Sequence, residues 1–154
     1  MGTRLYALWR RLEPWPGGRR LFDWLLGIQV PYSGSLGARI RALEPGYARL
    51  ELRERRAIRN HLQSIHALAL ANLGELTCGL ALVTALPPEI RGIPITIHAE
   101  YLKKARGRLT AESRPTVPRV VEPMEHQVSA DIRDEADEVV ARISVRWRLA
   151  PVSP

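Results

Sequence analysis

One cysteine, Cys78, stands in 154 residues, so no internal disulfide is possible and a reducing, cytoplasmic compartment is expected. Cys78 lies among Leu76, Leu80 and Ala81, where an inert core thiol is expected. The N-terminus lacks a secretory apolar run, because Trp9, Arg10 and Arg11 interrupt it. Tyr6 stands where N-myristoylation needs Ser or Thr. The four histidines lack metal-ligand spacing and the thiol has no partner, so neither metal nor cofactor is expected. Ser33 and Ser35, beside Gly34 and Gly37, do not form a nucleophile elbow. Internal repeats, low-complexity tracts and linkers are also missing, and the length suits one domain.

Anionic partners are a different matter, since the net charge is +7. The arginines are scattered through strands and loops without any nucleic-acid motif, so no nucleic-acid partner is expected. A solvated basic surface and a phosphate-bearing small-molecule partner are the two readings that remain.

What the chain does have is one long apolar stretch, Ile58 to Leu86, with a single charge, Glu75, near its middle. A helix apolar on every side either sits in a core or crosses a membrane. The strand-like flanks and the mid-span carboxylate favour a buried central helix, from Ser64 to Ala85, over a membrane span. Before it, Leu5, Leu8, Trp9 and Leu12 have helical spacing that Pro14 and Pro16 stop. Arg19 to Leu26 reads as a second helix ending at Gly27. With Arg10, Arg11, Arg19 and Arg20 beside apolar residues, these helices either cover an open end of the sheet or lie on a membrane surface.

Pro31 to Gly37 reads as a loop, and Ala38 to Leu43 and Tyr47 to Arg53 as a hairpin about Glu44-Pro45-Gly46. Arg55 to Gln63 is an irregular connection. Pro87 and Pro88 end the central helix. Strands follow at Ile95 to Tyr101 and Arg108 to Arg114, then a hairpin of Glu125 to Ile132 with Val139 to Leu149. This order predicts an α+β fold, its antiparallel sheet wrapped around the long helix. The expected division is an N-terminal helical extension, 1–33, and a main domain, 34–150.

The run Asn60-His61-Leu62-Gln63-Ser64-Ile65-His66-Ala67, followed by a helix carrying Glu75, resembles the hotdog-fold acyl-CoA thioesterases. It is most similar to the phenylacetate-type enzymes and their relatives. Their pattern is an asparagine, a histidine six positions on, and an acidic residue nine positions beyond that; Asn60, His66 and Glu75 fit both spacings. Tyr101 to Gly107 resembles the same group's strand-to-turn junction, and the likeness spans Gly34 to Leu149. Where that group often has two glycines after the histidine, this chain has Ala67 and Leu68, which keep the main-chain amide. A serine found in some members falls here at Pro94, leaving Thr96 as the nearest hydroxyl. The resemblance implies a hotdog fold, hydrolysis of an acyl-CoA thioester, and sites shared between the subunits of a homodimer or homotetramer.

The residues themselves carry compatible chemistry. Burial of Glu75 would raise its pKa and suit it to general-base work, although a hydrogen-bonded or ion-paired structural carboxylate fits the same position. Ser64 reads as the N-cap, placing the amides of His66 and Ala67 where the helix dipole would stabilise a thioester oxyanion. Asn60 is a candidate to hold water or the carbonyl, or an ordinary loop asparagine. His66 is read as an orienting or structural residue rather than as the base; His61 fits either role, and His98 and His126 fall on strands. His66 and Glu75 are nine residues apart, about 13 Å along the axis and on opposite sides of the helix, so a joint site needs two chains. Lys103, Lys104 and Arg106 form either a phosphate-binding cluster for CoA or a solvated turn. The competing readings are a non-catalytic acyl-ligand binder on the same fold and a dehydratase of 3-hydroxyacyl thioesters.

Overall fold

Alternation along Tyr47 to Arg53 sets the two faces of the sheet: Ala48, Leu50 and Leu52 are buried, while Arg49 and Arg53 are exposed. The computed structural model describes residues 2–152. Its helices are α1 (Gly2–Leu12), α2 (Gly18–Gln29), α3 (Pro31–Leu36) and α4 (Ala67–Ala85), with a 3-10 turn at Arg56–Ile58. Its strands are β1 (Arg39–Glu44), β2 (Tyr47–Arg53), β3 (Ile90–Tyr101), β4 (Arg108–Ser113), β5 (Met124–Arg133) and β6 (Val139–Pro151). All pairings are antiparallel, in the order β1-β2-β4-β5-β6-β3.

The inner face carries Leu52, Leu109, Ala111, Ile132, Ile143 and Val145, all buried against Leu70, Leu73 and Leu82 of α4. By length and composition α4 could cross a membrane, but the sheet wraps it. The outer face is a lattice of ion pairs, among them Arg49–Glu112 at 3.1 Å, Arg41–Glu51 at 2.8 Å and Arg142–Asp131 at 2.7 Å. Many of the strand arginines are therefore spent on cross-strand neighbours.

Packing between α4 and β6 is closest at Gly74, where an added Cβ would stand 2.2 Å from the Ile143 side chain. Gly74→Val is expected to cost about 3 kcal/mol through overpacking. That corresponds to a melting temperature lower by about 10 °C. A melting curve equal to wild type would mean that α4 does not seat on Ile143.

Four local readings need correction. Pro31–Leu36 is a helix, started by proline at its first turn and closed by Gly37 in the left-handed region (φ 72). Helix α2 continues through Gly27, whose small size lets Gly34 of α3 pack against it; a Cβ on Gly34 would lie 2.6 Å from Gly27 Cα. Strand β3 starts at Ile90, five residues early, and tolerates Pro94 because it is an outer strand with a register shift there. Helix α4 starts at Ala67 with His66, not Ser64, as its N-cap. Ile65 and His66 are held extended, their amides donating to Ala105 O and Ile58 O at 2.8 Å each, so the first helical turn cannot form earlier.

The two outer strands are finished differently. Helix α2 lies at β1, where Asp23 Oδ1 accepts the Ile40 N–H at 3.1 Å. Among the described residues strand β3 has no strand beyond it, and it leaves Ile93, Ile95, Ile97 and Tyr101 exposed.

Candidate active site at the start of α4

The loop before α4 is built around one side chain. Asn60 Oδ1 accepts from the amides of Leu62 (2.9 Å) and Ser64 (3.2 Å) and from Ser64 Oγ (3.1 Å). Gln63 takes a left-handed conformation (φ 56), and Arg106 Nε donates to its carbonyl at 3.0 Å. Asn60 and Arg106 thus shape the loop, and Ser64 is buried within it. His61 is exposed beside them.

That loop delivers the chain into α4 with one amide to spare. His66 Nδ1 accepts the Leu68 N–H at 3.1 Å, and His66 O accepts from Ala69 and Leu70. Among the described residues, the Ala67 N–H alone in this turn has no acceptor. It points out of the positive end of a 19-residue helix dipole. With Nδ1 accepting, a neutral His66 carries its proton on Nε2 as a second donor. Tyr101 of β3 closes over this end, its hydroxyl donating to Ala67 O at 3.0 Å.

Glu75 lies half-buried on α4 and has no hydrogen-bond or ion-pair partner among the described residues. Burial pushes its pKa up. The carboxylate leans toward the C-terminal half of the helix, with Oε1 3.9 Å from the point a Cβ would occupy on Gly79, beside the Trp147 ring. It therefore turns away from the Ala67 amide, which is eight residues and about 12 Å back along the same axis. One turn deeper, the Cys78 thiol is fully buried and pushed up to about 12 by desolvation first. It is an inert core group.

A cleft of about 450 Å³ opens at the α4 N-terminus, walled by Tyr32, Arg55, Arg59, His66, Leu68 and Asn72. Arg59 is paired with Glu54 at 2.5 Å. Arg55 instead donates to the Ser35 and Leu36 carbonyls, at 2.6 and 3.2 Å, and meets no carboxylate among the described residues. Its guanidinium is held in place with its charge uncompensated.

The residues grouped by the sequence land in different places. Lys103 is bound by Asp134 (2.6 Å) and Glu138, Arg106 by the loop carbonyls, and Lys104 is exposed without a partner among the described residues. Thr96 is exposed on β3, opposite Arg146 on the face away from α4. His98 is exposed; His126 is half-buried, facing Trp147 across β5 and β6. Sequence reasoning does not single out Arg55, Asn72, Tyr32 or Tyr101 as site residues. Asn72 does carry a signal: it is the one amide side chain of α4 and stands three residues before Glu75, on the same helical face.

The same architecture recurs in known proteins. A structural-genomics crystal structure matches 98% of this chain and 99% of its own, with 25% identity and a TM-score of 0.83. A Pseudomonas aeruginosa protein of unknown function, called a probable thioesterase, matches 86% of this chain and 95% of its own (25% identity, TM-score 0.76). A Staphylococcus aureus thioesterase shares the fold over 79% of this chain and 99% of its own (16% identity, TM-score 0.68). No curated protein matches the chain. The model of one family, Domain of unknown function (DUF4442), matches residues 18–149. With that span matched and the wrapped helix shared with these structures, the chain belongs to the DUF4442 family, inside the hotdog-fold thioesterase superfamily.

Proposed function

We propose that the protein hydrolyses acyl-CoA thioesters at a site shared by two copies of the chain. The carrying observation is the unengaged Ala67 amide, at the head of a buried helix and beside a cleft with a fixed cation. The thioester oxygen accepts from the Ala67 N–H and from His66 Nε2. Glu75 of a second copy takes a proton from water as the water oxygen bonds to the carbonyl carbon. Collapse of the tetrahedral oxyanion breaks the C–S bond, and the protonated Glu75 returns its proton to sulfur, leaving acid and CoA. The probable thioesterase among the structural neighbours supports hydrolysis as the reaction type.

Two chains are required because Glu75 leans away from the amide of its own helix. The open β3 edge, with Ile93, Ile95 and Ile97 exposed, is the surface on which a homodimer, or a tetramer built from dimers, would form. Asn60 positions the loop, and Arg55 and Lys104 meet CoA phosphates. A second reading, an acyl-ligand binder without turnover, draws on Leu68, which is 64% exposed at the cleft where glycine would leave more room.

Release of free thiol from a panel of acyl-CoAs separates these readings. Hydrolysis predicts release that is linear in protein concentration; tight binding with no release would move the chain to the binder class. Arg55→Ala is expected to raise KM for acyl-CoA about tenfold, the scale of one lost charge-assisted contact, at unchanged kcat. KM for a phosphate-free thioester of the same acyl group should not move. An equal rise for both thioesters would remove Arg55 from phosphate binding.

A further inference from the structure

The N-terminal helices have an inner side that the fold uses and an outer side that it does not. Inward, Trp9 and Phe22 are buried and meet edge to face, with centroids 5.2 Å apart. Outward on α2, Leu21, Trp24 and Ile28 fall at i, i+3 and i+7 and are 45%, 62% and 58% exposed. Trp15, in the turn before α2, is 71% exposed, and Tyr32, just after it, is 73% exposed. A soluble surface seldom gathers so many large apolar groups in one short stretch.

Charge says what this stripe faces. Arg20 lies one turn before Trp24, and Arg10 and Arg11 are exposed in the last turn of α1, leading to Trp15. None of these three, nor Arg4, meets a carboxylate among the described residues. The only acids in this region are already engaged. Glu13 pairs with Arg19 at 2.9 Å, and Asp23 is turned to the Ile40 amide, its carboxyl raised to about 6 by burial. A two-fold contact between copies through this face would set like charges against each other. Tryptophan and tyrosine with surrounding arginine suit the headgroup region of a membrane instead.

We propose that the outer face of α1 and α2 docks on an anionic lipid bilayer. Each basic residue at such a surface strengthens attachment roughly fivefold, and the apolar stripe supplies the remainder. Tyr32, exposed in α3 just after α2, lines the cleft at the start of α4. A bilayer docked on α2 and reaching Tyr32 would lie at the cleft mouth. The proposal does not depend on thioester hydrolysis, and either can fail alone.

Vesicle co-sedimentation of the full chain tests it. Binding is expected to phosphatidylcholine vesicles containing about 30 mol % phosphatidylserine, to be weak on pure phosphatidylcholine, and to fall in about 0.5 M salt. Tryptophan emission should shift to the blue on binding, since Trp15 and Trp24 are the exposed indoles and Trp9 and Trp147 are already buried. The double substitution Trp24→Glu and Ile28→Glu should lower partitioning about tenfold or more at unchanged melting temperature and solution mass. Should that variant fold poorly, Arg20→Glu, which replaces an exposed residue, is expected to weaken binding to the anionic vesicles alone. Equal, negligible sedimentation with both vesicle types would overturn the proposal. So would a Trp24→Glu/Ile28→Glu protein that binds vesicles normally but loses a self-association present in wild type, because a second copy would then cover the face.

Discussion

Glu75→Gln is expected to lower acyl-CoA turnover by about two to four orders of magnitude, the usual contribution of a general base. The same change should leave the melting temperature at neutral pH equal to wild type or higher. Glu75 has no partner to lose among the described residues, and burial alone raises its pKa, so its ionised form is a cost to the fold. The sign follows from linkage. A carboxyl whose folded pKa lies above its unfolded value binds more protons when folded, so its contribution to stability falls as pH rises from the unfolded toward the folded pKa. Glutamine removes that loss. Activity runs the opposite way, since the base must be ionised. Wild-type turnover should rise with pH through the raised pKa, and a stability profile measured alongside should decline over the same interval relative to Glu75→Gln. Turnover unchanged in the glutamine variant would remove Glu75 from the chemistry. A large fall in melting temperature would instead make it a structural carboxylate.

Ala67→Pro deletes one hydrogen-bond donor and little else. Proline is favoured at the first position of a helix, and the residue before it must be extended; His66 already has φ −63 and ψ 141. The Ala67 amide has no internal acceptor among the described residues, so no protein hydrogen bond is lost. Turnover should fall by about two to three orders of magnitude, as for loss of an oxyanion donor, while the melting temperature holds. This variant also completes a test of the shared site. Glu75→Gln chains and Ala67→Pro chains, each inactive, should regain activity when their subunits exchange, because one site of each mixed dimer then receives both intact groups. If exchange is verified and activity stays absent, the two groups do not serve one substrate.

Much of the fold is legible in the sequence because the burial pattern is simple. Period-two alternation in Tyr47 to Arg53 and unbroken apolarity in α4 leave little freedom over what faces the core. Strand order is not legible: β3 follows α4 in the chain yet lies beside β6, a long-range choice that no local pattern encodes. Helix α3 is hidden because Pro31, Ser33, Gly34 and Ser35 are turn formers, and six residues give no helical period to set against them. Ser64 reads as a cap because local propensity cannot see that Ile65 and His66 are held extended by the distant Ala105 and Ile58 carbonyls, which delays the helix to Ala67. In the candidate site, His66, Ala67 and Glu75 stand out by spacing and isolation. Arg55 does not, since what distinguishes it is having carbonyls instead of carboxylates as neighbours, and that is a fact of space.

The unequal finishing of the two outer strands has a consequence for growth. A sheet open at both ends can recruit a neighbour at each and has no reason to stop, which is the route to filaments. Here Asp23 and α2 occupy the β1 side, so the sheet keeps one open edge, at β3. Two copies joined through β3 would leave only blocked ends outward, and extension of the sheet would terminate at the first encounter.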